Sequence, residues 1–348
     1  MLFIRADGNA EIGTGHLMRC LTIAEKVKTQ ALFLCADALS AEFVRDRGHK
    51  SLVLGEEAFS AAELEKLMTL IKDRSKDGDC LLIDSYRAAP DYVKALNSCI
   101  KTACMDDMGE EVYPVHTVIN YNAYADREVY EALYNRAGIK MPRLLIGREY
   151  IPVREAFRSR EFFVKEKPDS LLLTTGGGDA ENLAGGILQS LLKEPSLRGL
   201  RIHVVSGAFN PHYAALYKLS EEHENVTLYR NVQDMAALMA SCDMAVTAGG
   251  STVYELCALG VPFVCFSYAE NQNAIIGFMA EEGIAPSAGR LAGWEEADRR
   301  CLEEKICRLM AELAASRESR EKYSGREREL VDGNGALRLA QALESDSL

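Results

Sequence analysis

"TAGGSTVYELCALGVPF", Thr247 to Phe263, decides how the chain is built. It leaves an apolar run, "MAVTA" (244–248), turns on Gly249 and Gly250, continues as a helical pattern and enters a second apolar run, "PFVCF" (262–266). Strand, glycine turn, helix and strand in that order make a βα unit of a parallel sheet.

The same alternation extends in both directions. Further strand candidates in the second half are "SLLLTT" (170–175), "RIHVV" (201–205) and "VTLYR" (226–230). In the first half they are 2–6, 31–35, 51–55, 80–84, 102–106 and 116–120, with helical patterns between several of them. Leu17, Cys20, Leu21 and Ala24, for instance, fall at i, i+3, i+4 and i+7. At about 150 residues per domain, 348 residues favour two domains. The expected fold class is therefore α/β, with two Rossmann-like doubly wound domains. Residues 1–150 form the first and 151–348 the second. The charged stretch with Pro152 and Pro168 is the linker, about 151–168, and the final helices are placed to pack back on the N-terminal domain.

Composition narrows the function. Lys plus Arg number 40 against 52 Asp plus Glu, a formal charge of −12, which argues against nucleic acid or an anionic membrane as partner. An anionic ligand must then be held by local features. The ten cysteines include no Cys-x-x-Cys pair and no zinc-like spacing; they read as buried reduced thiols, and no metal site is expected. The start, "MLFIRADGN", lacks signal-peptide architecture, and no apolar stretch approaches the roughly 20 residues that span a bilayer. The expectation is a soluble cytoplasmic protein without membrane insertion, acting as a monomer.

Two glycine corners carry candidate chemistry. In "IGTGHLMR" (12–19), Gly13 and Gly15 let a ligand approach the backbone, and His16 sits at the mouth of a helix. The partial positive charge there disfavours imidazolium, leaving a neutral ring that can accept a proton. Arg19 lies one turn on, in the same neighbourhood. The competing reading makes His16 a helix cap. In the second corner, Gly249 and Gly250 turn the chain into a helix that starts near Ser251 or Thr252, and backbone N–H groups there with the two hydroxyls make an anion seat suited to a diphosphate. Glu255, one turn further, can take both hydroxyls of a ribose, although Thr252-x-x-Glu255 also fits a capping box. Asn271 and Gln272, in the loop after the next strand, lie at the same sheet edge. "TTGGGD" (174–179) is a third glycine turn, with Asp179 as a helix cap.

These features together resemble the GT-B arrangement, two Rossmann-like domains facing a central cleft that holds a nucleotide sugar. Residues 249–272 resemble the nucleotide-binding segment of the inverting UDP-GlcNAc transferase of peptidoglycan lipid synthesis. "IRADGNAEIGTGHLMRCLTIA", "LLIDSYR" (81–87), "CMDDM" (104–108) and "INYNAYA" (119–125) are similar to the UDP-2,4-diacetamido-2,4,6-trideoxy-β-L-altropyranose hydrolase family of pseudaminic acid biosynthesis. That resemblance implies His16 as catalytic base, Tyr86 as a substrate contact, Glu255 on the ribose and Asn271 in the cleft. It implies a UDP-sugar substrate, water attack at the anomeric carbon with inversion, and no cofactor. "DSYR" departs from the family pattern, with Ser85 and Arg87 flanking the tyrosine, so Arg87 changes which groups of the sugar can be read. The alternatives are a GT-B glycosyltransferase that uses an acceptor hydroxyl, and a non-catalytic nucleotide-sugar binder.

Overall fold

The computed structural model describes residues 1–8, 13–176, 179–207, 210–230 and 232–345. The chain divides into two compact units. One comprises Met1–Val153 with the segment that starts at Asn334, and the other Arg154–Gly333.

The first unit is built on a seven-stranded sheet of β1 (Leu2–Ala6), β2 (Ala31–Cys35), β3 (Lys50–Val53), β4 (Cys80–Asp84), β5 (Lys101–Met105), β6 (Thr117–Asn120) and β7 (Arg143–Ile146). The order is β3-β2-β1-β4-β5-β6-β7, all parallel. Strands β1, β2 and β4 are buried along their whole length, which is why "LFIRA", "ALFLC" and "CLLID" read as continuous rather than alternating patterns. Each Leu or Ile sealed there stabilises the unit by about 1.5–3 kcal/mol. The helix Gly15–Ala24 buries Leu17, Cys20 and Leu21 against this sheet. The last helix, Gly335–Glu344, packs on that helix, and Glu344 accepts a hydrogen bond from the Thr29 amide at 2.7 Å.

The second unit holds a six-stranded parallel sheet of β8 (Ser170–Thr174), β9 (Arg201–Ser206), β10 (Val226–Arg230), β11 (Met244–Ala248), β12 (Phe263–Ser267) and β13 (Ser287–Arg290). Its order is β10-β9-β8-β11-β12-β13. The helices Leu183–Lys193 and Glu296–Ala315 cover it with a core of Leu188, Ile187, Ile306 and Met310. Residues from Arg154 onward belong to this packing, with Phe157 fully buried and the Phe162 carbonyl accepting from Arg328 at 2.7 Å.

Both sheets therefore have the doubly wound plan, and in each the strand order reverses once. The reversal lies between β1 and β4 in the first unit and between β8 and β11 in the second. Loops leaving the carboxyl ends of strands on either side of a reversal diverge and open a crevice. Among the described residues no helix is long and apolar enough to cross a membrane.

Candidate functional site

In the first unit, the loops after β1, β4, β5 and β6 gather ionisable side chains at the carboxyl edge of the reversal. Gly13 takes φ +74°, a conformation that strains any side chain, and Gly15 opens the helix on which His16 is the second residue. Residues 9–12, including Ile12 of the first corner, lie outside the described residues. His16 is buried, and its Nδ1 stands 2.7 Å from Asp84 Oδ1. A lone pair there would face a carboxylate at closer range than the Arg19 Nη2 donor at 3.1 Å, so we assign the proton to Nδ1, which donates to Asp84. The base-capable lone pair then lies on Nε2, for which the described residues offer no partner. This is the orientation by carboxylate that a general base requires.

Asp84 is sealed from solvent. Burial alone would raise its carboxyl, yet Arg19 and His16 outweigh that and hold it well below the usual carboxylate range. Arg19 proves to be internal. Its Nε donates to Asp84 Oδ2 at 2.6 Å, Nη2 to Asp84 Oδ1, and Nη1 to both oxygens of Asp107 at 2.9 and 2.8 Å and to the Tyr121 hydroxyl at 2.8 Å. Burial would lower this guanidinium, but Asp107 and Asp84 raise it well above its ordinary value. Its donor groups are thus directed at Asp84, Asp107 and Tyr121. Tyr86 remains 57% exposed, meets the His16 ring edge-on at 4.8 Å between centroids and donates to Asp107 Oδ2 at 2.8 Å. Arg87 instead reaches the Ala58 carbonyl at 3.1 Å.

The sequence reading had no place for Asp84 or Asp107 as partners of His16 and Arg19. The available signal was an acidic residue closing or following a wholly apolar strand, as in "CLLID" and "CMDD". Such a carboxylate reaches the carboxyl edge of a parallel sheet, where doubly wound folds gather ligand-binding groups.

In the second unit, Gly249 and Gly250 shape the turn after β11, and their own amides are taken up by backbone carbonyls. The Gly249 amide donates to Phe266 O at 2.8 Å and the Gly250 amide to Ala248 O at 2.9 Å. Gly249 is required by close packing, since a Cβ there would stand 2.6 Å from Ile276 Cγ2 and 3.0 Å from the Gln272 carbonyl oxygen. The amides that remain without an acceptor among the described residues are those of Ser251 and Thr252, at the N-cap and first position of the helix Thr252–Leu259. They carry the helix's positive end and are joined by an exposed Ser251 side chain.

The capping box does not form. The helix has no side-chain cap, and Glu255 instead accepts from Arg154 Nη2 at 2.8 Å. Burial raises the Glu255 carboxyl, and Arg154 opposes the rise. Gln272 lies against Gly249 and accepts from the Tyr268 amide at 3.0 Å, while Asn271 is exposed. Tyr268 also donates to the Thr175 carbonyl at 3.0 Å, so the loops after β8, β11 and β12 are joined at one edge. Asp179 accepts from the Leu183 and Ala184 amides at 2.7 and 2.9 Å and is a helix cap. Gly177 and Gly178 of the third turn lie outside the described residues. Among the described residues no three His, Cys, Asp or Glu side chains form a group able to hold a metal ion.

Comparison with known proteins gives these two edges a context. Residues 171–331 match the glycosyltransferase family 28 C-terminal domain. The chain is similar to the spore coat polysaccharide biosynthesis protein SpsG of Bacillus subtilis, 25% identical over 347 residues that cover 98% of this chain and 97% of that protein. It is also similar to the UDP-2,4-diacetamido-2,4,6-trideoxy-β-L-altropyranose hydrolase of Campylobacter jejuni, 27% identical over 286 residues, covering 81% and 97%. Among solved structures, MurG of Acinetobacter baumannii superposes with a TM-score of 0.64 at 15% identity, covering 99% of each chain. The spinosyn rhamnosyltransferase SpnG does so with 0.63 at 13%, again covering 99% of each. The fold is GT-B, and the matched C-terminal domain with these two relatives supports an enzyme of the GT-B glycosyltransferase-like superfamily.

Proposed function

We propose that the protein is a UDP-sugar hydrolase, releasing UDP and a free 2,4-diacetamido-2,4,6-trideoxy sugar for nonulosonic (pseudaminic) acid synthesis. The observation that carries this reading is the imidazole of His16 held by Asp84 through Nδ1, which on the tautomer assigned above leaves Nε2 to accept a proton. The hydrolase name of the Campylobacter jejuni relative supports the reaction type and the sugar.

In the proposed reaction, a water molecule gives its proton to His16 Nε2 as its oxygen bonds to the anomeric carbon. The bond from that carbon to the phosphate oxygen breaks, the electron pair leaves with UDP, and configuration inverts. Asp84 stabilises the imidazolium that forms, as a buried orienting carboxylate does. Arg19 keeps Asp84 ionised and in place, and Tyr86 contacts the sugar. The Ser251 and Thr252 amides and hydroxyls take the negative charge that grows on the departing diphosphate, with Gly249, Gly250, Gly13 and Gly15 shaping the turns. Glu255 takes the ribose hydroxyls, and Asn271 and Gln272 complete the nucleotide contacts. The protein acts in the cytoplasm as a monomer.

A glycosyltransferase is the second reading, favoured by the match to the glycosyltransferase family 28 C-terminal domain. The two separate by UDP release from the sugar nucleotide without any acceptor, run in oxygen-18 water. The hydrolase releases UDP and places the label on the sugar. Release only on addition of an alcohol establishes the transferase, and label in UDP refutes attack at carbon. His16→Ala should reduce turnover by at least ~10²-fold and leave UDP affinity within about twofold; unchanged turnover removes His16 as the base.

A further inference from the structure

Arg154 is the first residue of the second unit, and the sequence reading assigned it only to a linker. It is firmly rooted. The short helix that follows, Glu155–Arg158, packs on the helix Thr252–Leu259, and Phe157 within it is fully buried. The Arg154 guanidinium lies 4.7 Å from the Phe157 ring centroid, a cation–π contact that limits its swing. From there Nη2 donates to Glu255 Oε1 at 2.8 Å, with the two side chains only 27% and 20% exposed. The pair is therefore shielded, unlike surface ion pairs that contribute little. Glu255 Oε2 receives no hydrogen bond from any described residue.

We propose that Arg154 is a positioning residue of the nucleotide seat, tying down one oxygen of Glu255 so that the other faces the vicinal diol of a ribose. The inference rests on the ribose reading of Glu255 given above. It assigns Arg154 a task that depends on Glu255, not a direct hold on the ligand. A carboxylate fixed through one oxygen keeps the second pre-oriented, so less rotational freedom is lost when two hydroxyls donate to it. Arg154 also opposes the burial that pushes Glu255 toward its protonated form, which accepts hydrogen bonds poorly.

The test titrates UDP and 2′,3′-dideoxy-UDP into the full chain and into Arg154→Gln, Arg154→Lys, Glu255→Gln and the Arg154→Gln/Glu255→Gln pair, with a thermal melt of each. Arg154→Gln should weaken UDP about tenfold. It should also erase most of the preference for UDP over the dideoxy nucleotide, which a residue serving only the fold would leave intact. Its UDP affinity should recover as pH rises, because Glu255 without its cation needs a higher pH to ionise than it does in the parent. Arg154→Lys should keep part of the preference. The double variant should bind UDP no worse than Glu255→Gln alone, since the two residues act as one unit. Equal weakening of both nucleotides by Arg154→Gln overturns the proposal, and so does a full additional loss in the double variant. If Glu255→Gln itself retains the preference for UDP, the ribose reading fails, and the Arg154 inference falls with it.

Discussion

At the scale of single residues, the decisive contact joins positions 68 apart in the chain, His16 and Asp84. Asp84→Asn is the sharpest probe of it. The amide would turn an N–H toward Nδ1, favour the opposite tautomer and leave Nε2 protonated, so it could not accept from water. Turnover should fall by roughly 10²–10⁴-fold with UDP affinity unchanged, read from steady-state UDP release and a binding titration. Undiminished turnover would show that the carboxylate does not orient the base. The same carboxyl links stability to acid. Its folded value lies below the unfolded one near 3.9, so its contribution is present above that pH and is lost as pH falls through the depressed value. Sequence reading located the histidine and its neighbour Arg19, but not the carboxylates that hold them. Nothing local in "CLLID" announces that β4 lies beside β1, and that adjacency follows from sheet order alone. Arg154 was illegible for a related reason: its partner is a hundred residues away and the stretch around it is charged like any linker.

Elements were more legible, because burial writes itself into composition. "LFIRA", "ALFLC", "CLLID", "VTLYR" and "MAVTA" are strands over the residues expected. The two strands missed, β7 and β13, are both at sheet edges. β13 is "SAGR", with no apolar run, and its pairing with β12 shifts register between Cys265 and Phe266, so neither propensity nor periodicity marks it. A helix carries an anomaly that sequence also hides. Glu327, within Arg317–Leu330, has no exposed surface, and no side chain among the described residues donates a hydrogen bond to its oxygens. Burial pushes its carboxyl well above the ordinary range, only partly countered by Arg328 and the Phe263 backbone amide. A group raised in this way holds its proton in the folded state and releases it on unfolding. Its penalty therefore grows as pH climbs above the unfolded value near 4.3. Glu327→Met should stabilise the protein by about 1–3 kcal/mol, with a larger gain in melting temperature at pH 8 than at pH 5. A loss of stability at both pH values would mean that the carboxyl has a partner in solution.

At the scale of the whole molecule, charge and recognition point in opposite directions. Under the proposed function a chain with a formal charge of −12 holds an anion, and the groups proposed for it are helix-end amides and hydroxyls rather than a cluster of lysines. Those dipoles act over about one turn of helix, whereas the net charge acts over the Debye length, about 10 Å at 0.1 M salt. Long-range repulsion is thus screened by added salt while short-range hydrogen bonds are largely spared. A seat built from cations behaves in the reverse sense, losing affinity steeply as salt rises. The expected result is that UDP affinity stays within about twofold, or tightens, between ~0.05 and ~0.5 M sodium chloride, measured by calorimetry at constant pH. A tenfold or greater loss over that range would place the diphosphate on basic side chains and dismiss the Ser251–Thr252 turn as its seat.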